Sequence, residues 1–224
     1  KALLYDPDLE FAIAENILFP MFLMQFKENQ ADFFFLRQLT IRINSYIARF
    51  PDSVYAQSVA GFYFFIKGQI TGSDDDRETA LTYLLQSHSN IKRVYLKTNA
   101  ISNNWASSIN FQFIPLLYDW DGKGDIAIGF IKDNKRMICQ DGTYECVDTE
   151  TLNNIENIFY NNNSYEEALE AIELTLNRTS EELVLEGAEG LGVKTQAYFR
   201  SGMIYMKWGK YDEAIRRFNN GINM

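Results

Sequence analysis

The sequence predicts a mainly α protein: a solenoid of helix–turn–helix units carrying a small β-hairpin insert near residues 126–147. Three observations lead there. Apolar residues recur at i, i+3, i+4 and i+7 through most of the chain, the spacing of one helix face. Glycines and short polar runs punctuate these stretches at intervals that suit paired helices. Between Ile126 and Val147 the period changes to short β-like runs.

With 224 residues, the chain can bury a substantial core without disulfides or metal. Its aromatic share of 15% rules out disorder as the main state. A net charge of −9 argues against nucleic acid, whose phosphates need a basic stripe, and against docking on an anionic membrane surface. It permits a basic protein partner. No apolar run approaches the ~18 residues of a membrane span. The most apolar stretch, Ile17 to Phe26, holds Pro20 and Gln25 and follows Asp6, Asp8, Glu10 and Glu15, so it lacks the positive flank of a signal peptide. The chain opens at Lys1 without a Met, which leaves its original N-terminus, any export signal and its compartment open.

Residues 1–90 read as N-terminal helices ending in a degenerate repeat unit. Asp6 to Met24 predicts one or two helices divided at Pro20. Leu36, Leu39, Ile43, Tyr46, Ile47 and Phe50 keep helical spacing across Phe33 to Phe50. A helix pair follows from Val54 to Leu85, with Ala60, Gly61, Phe64 and Gly68 in its first member and Ala80, Leu81 and Leu84 in its second. Ser73 with Asp76 predicts an N-cap, and Asp74, Asp75 and Asp76 complement the helix dipole. The runs Phe33-Phe34-Phe35 and Phe62-Tyr63-Phe64-Phe65 cover most of a helix circumference, since successive residues turn by about 100°. Helices packed on two sides, or a groove lined by part of each run, both account for them.

Residues 91–148 depart from the pattern. Ile91 to Trp120 predicts one or two helices broken at Pro115. Ile126 to Ile131, Met137 to Cys139, and Tyr144 with Val147 predict the strands of the insert, separated by Lys132-Asp133-Asn134-Lys135 and by Asp141-Gly142. Cys139 and Cys146 flank that last turn, where they either bridge across a hairpin or stay free thiols.

Residues 149–224 carry the strongest internal repeat, and the three segments are read as one continuous domain. Tyr198, Gly202, Tyr205, Gly209, Tyr211, Ala214, Phe218 and Gly221 fit a helix, a turn and a second helix. Gly202 permits a close helix approach, Gly209 ends the first helix, and Ala214, Phe218 and Gly221 form the inner stripe of the second. Leu152, Ile155, Phe159, Tyr165, Ala168, Leu169, Ile172 and Leu176 repeat the pattern, with Ser164 and Glu167 as a capping box. This closely resembles a tetratricopeptide (TPR) repeat. Glu156 departs from the family pattern, which has a small residue there. The step from Ala168 to Ala214 also exceeds the repeat length of about 34 residues; the surplus falls in Glu181 to Val193.

The TPR resemblance implies a scaffold that binds a partner peptide or protein on a concave face lined mainly by first helices. Its matching positions here are Asn153, Asn154, Asn157 and Tyr160 in one repeat, and Phe199, Arg200, Met203 and Lys207 in the last, with Gln196 beside them. Asn154, Asn157 and Arg200 match parts of the family's carboxylate-clamp pattern. Ser58, Phe62 and Gln196 depart from it, so chaperone binding is not expected.

Chemistry-bearing clusters are sparse. His88, the sole histidine, is placed near a helix end, facing solvent or the dipole. Asp119, Asp121 and Asp125 resemble the opening of a calcium loop. Lys123 at the third ligand position, and no glutamate at the twelfth, favour a tight polar turn instead. No phosphate loop, dinucleotide fingerprint or nucleophile elbow appears. No enzyme activity, cofactor or metal is therefore expected. Two other readings compete with the scaffold. One is an acidic inhibitor, immunity protein or chaperone for a basic partner, resting on the charge. The other is a small-molecule-binding transport accessory protein, with Phe62, Phe65 or Trp105 lining an apolar cavity.

Overall fold

The computed structural model of the chain describes residues 33–98, 104–139, 141–178 and 190–224. Among these are nine helices and no strand: α1 Phe33–Arg49, α2 Val54–Thr71, α3 Asp74–Thr98, α4 Asn104–Trp120, α5 Gly124–Ile138, α6 Thr149–Asn161, α7 Tyr165–Asn177, α8 Gly190–Lys207 and α9 Tyr211–Ile222. The mainly α expectation holds for them. The helices expected over Asp6 to Met24, and most of the Glu181 to Val193 surplus, lie outside the described residues. The chain divides into two compact units between Leu117 and Tyr118. None of the described helices is long and apolar enough to cross a membrane.

In the first unit α2 is the central element. Ser53 caps it by accepting the Ala56 N–H at 3.1 Å, and Gly72, at φ +69°, ends it in the left-handed conformation. Every residue from Ala56 to Ile66 is buried. Its run of four aromatics resolves into three directions. Phe62 and Phe65 pack on Phe113 of α4 with ring centroids 5.1 and 4.4 Å away. Phe64 stacks on Tyr83 of α3 at 6.0 Å. The Tyr63 hydroxyl donates to the Leu36 carbonyl of α1 at 2.8 Å and lies 2.6 Å from the Thr40 hydroxyl. Successive rings meet different neighbours because the helix turns by about 100° per residue. A Cβ on Gly61 would lie 2.5 Å from Leu84 Cγ, so glycine permits the close approach of α2 and α3. A buried polar cluster joins three helices: the Ser58 and Ser87 hydroxyls lie 2.7 Å apart, and the Asn110 amide donates to Ser87 at 2.9 Å.

The helix α3 begins as expected, with the Asp76 N–H donating to the Ser73 hydroxyl at 3.2 Å. The helix α4 does not break at Pro115. Proline removes one backbone donor, and burial of Phe111, Phe113, Ile114 and Leu117 around it holds the rest of the helix together.

In the second unit the expected β-hairpin over 126–147 is replaced by a helix and a bridged loop. Within α5, Ala127, Ile131, Asn134 and Met137 are buried at i, i+4, i+7 and i+10, a helical stripe. Ile126, which suggested a strand, is 52% exposed. After α5 the chain turns at Gly142 (φ +74°), and Cys139 and Cys146 form a disulfide with Cα atoms 5.7 Å apart. The bridge closes a loop, not a hairpin. Lys135 lies over the buried Tyr144 ring at 3.8 Å.

Three joints in this unit share one geometry. Each helix end is followed by a left-handed residue: Gly122 at φ +71°, Asn163 at +62° and Gly209 at +79°. In each, the next N–H reaches back five residues, Lys123 to Tyr118, Ser164 to Phe159 and Lys210 to Tyr205, at 2.8, 2.8 and 2.9 Å. A new helix starts at once, at Gly124, Tyr165 and Tyr211. Ala127, Ala168 and Ala214 occupy the same place in those helices and are all buried. The turn at Gly122 thus has the same local backbone geometry as the turns of the last two pairs. The capping box of Ser164 and Glu167 does not form: Ser164 makes no side-chain cap, and Glu167 instead accepts from Lys132 of α5 at 2.5 Å.

Candidate functional site

The eight residues singled out in the sequence fall on α6 and α8. The helix α6 is fixed by its cap, with Asp148 accepting the Thr151 N–H at 2.7 Å, and by the buried stripe of Leu152, Ile155 and Phe159. The helix α8 is seated by buried Ala197, Ser201 and Ile204. A Cβ on Gly202 would lie 2.5 Å from Phe218 Cε1, so that glycine sets the approach of α9. The helix α7 packs against both α6 and α8. Its Glu173 forms an ion pair with Arg217 of α9.

Side chains then cross between α6 and α8. The Arg200 guanidinium donates to Asn153 Oδ1 at 2.6 Å and lies 3.2 Å from Glu156 Oε2. Two turns along, the Lys207 ammonium donates to the Tyr160 carbonyl at 3.3 Å and sits 4.3 Å from the centre of the Tyr160 ring. The structure therefore joins Asn153 to Arg200 and Tyr160 to Lys207. Asn154 and Met203 are half-buried, and Asn157 is exposed. Phe199, 59% exposed, packs on Phe218 of α9 at 5.2 Å. Beside this face, Trp208 stacks with Tyr205 at 6.4 Å and carries Lys210 at 3.3 Å from its centroid.

Glu156 is the residue that sequence reasoning passed over. Its side chain is 4% exposed, and Arg200 is its ion-pair partner. Burial disfavours the carboxylate and pushes its pKa up from 4.5 to about 7, while the nearby guanidinium pulls the other way. The available signal was the departure from the repeat pattern: a glutamate where a small residue was expected.

The other clusters resolve differently. The Asp119 carboxylate accepts from the Asn161 and Asn162 amides at 3.2 and 2.8 Å, and Asp121 pairs with Lys123 at 3.1 Å. These contacts make the polar turn, which leads into α5 and not into a strand. Among the described residues no group of three or more His, Cys, Asp or Glu side chains is arranged to hold a metal ion. His88 is buried in the body of α3, not near its end, because that helix continues to Thr98. Phe62 and Phe65 pack on Phe113, and Trp105 packs on Tyr55 at 4.8 Å. An open cleft of about 440 Å³ lies beside the disulfide, lined by residues that include Cys146, Asp148, Leu174 and Arg178. Arg178 there donates to Thr149 Oγ1 at 2.9 Å and to the Val147 carbonyl, bracing the bridged loop.

The α6–α8 face offers guanidinium, ammonium and amide donors together with aromatic surface. That chemistry suits carbonyl- or carboxylate-bearing peptide. No protein-family model, curated protein or solved structure matches the chain.

Proposed function

We propose that the chain is a protein-interaction module that holds a partner peptide or protein on the α6–α8 face, in the manner that its resemblance to TPR repeats implies. The observation that carries this reading is the pair of links across two successive helix pairs, Arg200 to Asn153 and Lys207 to Tyr160. They join, at two places, polar and aromatic residues that the repeat pattern assigns to partner contact. The recurring joints at Gly122, Asn163 and Gly209 support the repeat reading. Binding is favoured over catalysis because the face brings donors and rings together without a nucleophile and base in reach of each other.

A photoreactive amino acid at Asn157, with a control at exposed Glu166 on α7, tests this in extract of the protein's own cells. A cross-linked partner is expected from position 157 alone. Equal cross-linking from both, or from 166 only, overturns the assignment.

A further inference from the structure

We propose that Glu156 is a proton-operated latch on Arg200, so that the α6–α8 face takes an acidic peptide more tightly as the pH falls. This rests on the reading of that face as the partner surface. Glu156 is buried against a half-buried Arg200, and the pair is incompletely satisfied. Glu156 Oε2 accepts no hydrogen bond, although Arg200 Nη1 lies 3.2 Å from it. Arg200 Nε is also buried with no hydrogen-bond acceptor. An ionised carboxylate with an oxygen that accepts no hydrogen bond in a buried site is costly, and a proton relieves that cost. The raised pKa, near 7, agrees with this geometry.

The neighbouring charges are committed elsewhere. Lys132 and Lys135 of α5 pair with Glu167 and Glu170 of α7, at 2.5 and 2.9 Å. Glu173 of α7 pairs with Arg217 of α9. On the face itself stand Glu150 of α6 and Lys207 of α8, with Lys194 farther round α8. Among the described residues Arg200 is the charged group in ion-pair contact with Glu156. With Glu156 ionised, the two charges cancel. With Glu156 protonated, the guanidinium stands uncompensated beside Asn153, on a helix that carries Lys194, Arg200 and Lys207 and no acid. The face gains one positive charge, and charge complementarity then selects carboxylates.

The sequence makes the test clean, because His88 is its sole histidine. Few other side chains change charge between about pH 5.5 and about pH 8. The probe is hexa-aspartate, measured by titration calorimetry at those two pH values. Wild type is expected to bind about tenfold tighter at the lower pH. Glu156→Gln should bind with the low-pH affinity at both, His88→Gln should follow wild type, and Arg200→Gln should bind weakly at both.

Wild-type pH dependence that persists in Glu156→Gln overturns the latch. So does equal wild-type binding at both pH values; if Arg200→Gln still weakens that binding, the face stands and the latch alone falls. Binding that Arg200→Gln leaves intact, or no binding by wild type at either pH, removes the acidic partner together with the latch. If Glu156→Gln does not fold, the comparison of wild type with Arg200→Gln across the two pH values decides alone: a pH dependence retained by Arg200→Gln overturns the proposal.

Discussion

Gly202 and Phe218 are in mutual contact that only glycine allows: a Cβ on residue 202 would lie 2.5, 2.7 and 2.8 Å from three carbons of the Phe218 ring. Gly202→Ala must push the ring, or α9 with it, out of place. A loss of about 1 to 3 kcal/mol is expected in urea unfolding, the range of overpacked cores. A companion Phe218→Leu should recover part of it, since the clash is with the ring edge.

Phe113 carries two ring contacts, to Phe62 and Phe65. Phe113→Ala should destabilise the first unit by about 3 to 4 kcal/mol. The tryptophan signal of Trp105, which packs on Tyr55 in the same unit, should report the earlier transition.

Glu156 makes stability depend on pH in an unusual direction for an acid. The folded protein keeps its proton up to about pH 7, whereas the unfolded chain releases it near 4.5. Between those values the folded state binds more protons, so this group's contribution is greatest below about pH 4.5. It declines as the pH rises and levels off above about pH 7, a total of about 3 kcal/mol. The difference in unfolding free energy between wild type and Glu156→Gln, followed from pH 4.5 to pH 8, isolates it: a curve parallel to wild type would contradict the shift. Glu167 works the opposite way. Its hydrogen bond from Lys132 lowers its pKa, so its contribution is present at neutral pH and lost on acidification.

The Cys139–Cys146 bridge closes a short loop. Reduction, or Cys139→Ser with Cys146→Ser, should lower stability by about 2 kcal/mol through the freedom returned to the unfolded chain. Thermal unfolding with and without reductant measures it, and the double variant should be insensitive to reductant.

Much of this architecture was readable from residue spacing. The stripe of Leu36, Leu39, Ile43 and Tyr46, the cap at Ser73, and the close approach at Gly202 follow from local chemistry and appear as expected. The helix α5 did not, for two reasons. Its inward stripe includes Asn134, a polar residue whose buried amide donates to the Phe130 carbonyl at 2.7 Å, so the apolar period is interrupted. Exposed Ile126 and half-buried Ile128 and Phe130 then imitate a strand. His88 was misplaced because the end of α3 was set too early. Of the candidate face, the eight positions were named from the repeat, but Glu156 gains its meaning only from Arg200, a partner distant in sequence and brought near by packing.

The joints at Asn163 and Gly209 fix rotational phase. Each leaves the same short interval before the next helix, so Ala168 and Ala214 stand at the same step into their helices, both buried. One residue inserted at either joint would turn the following helix by about 100° and carry its alanine out of its interface with the helix before it. A duplicated or deleted helix pair that keeps its own joint would leave every remaining angle untouched. The chain is thus sensitive to the smallest changes of length at its turns and tolerant of large ones made in whole pairs.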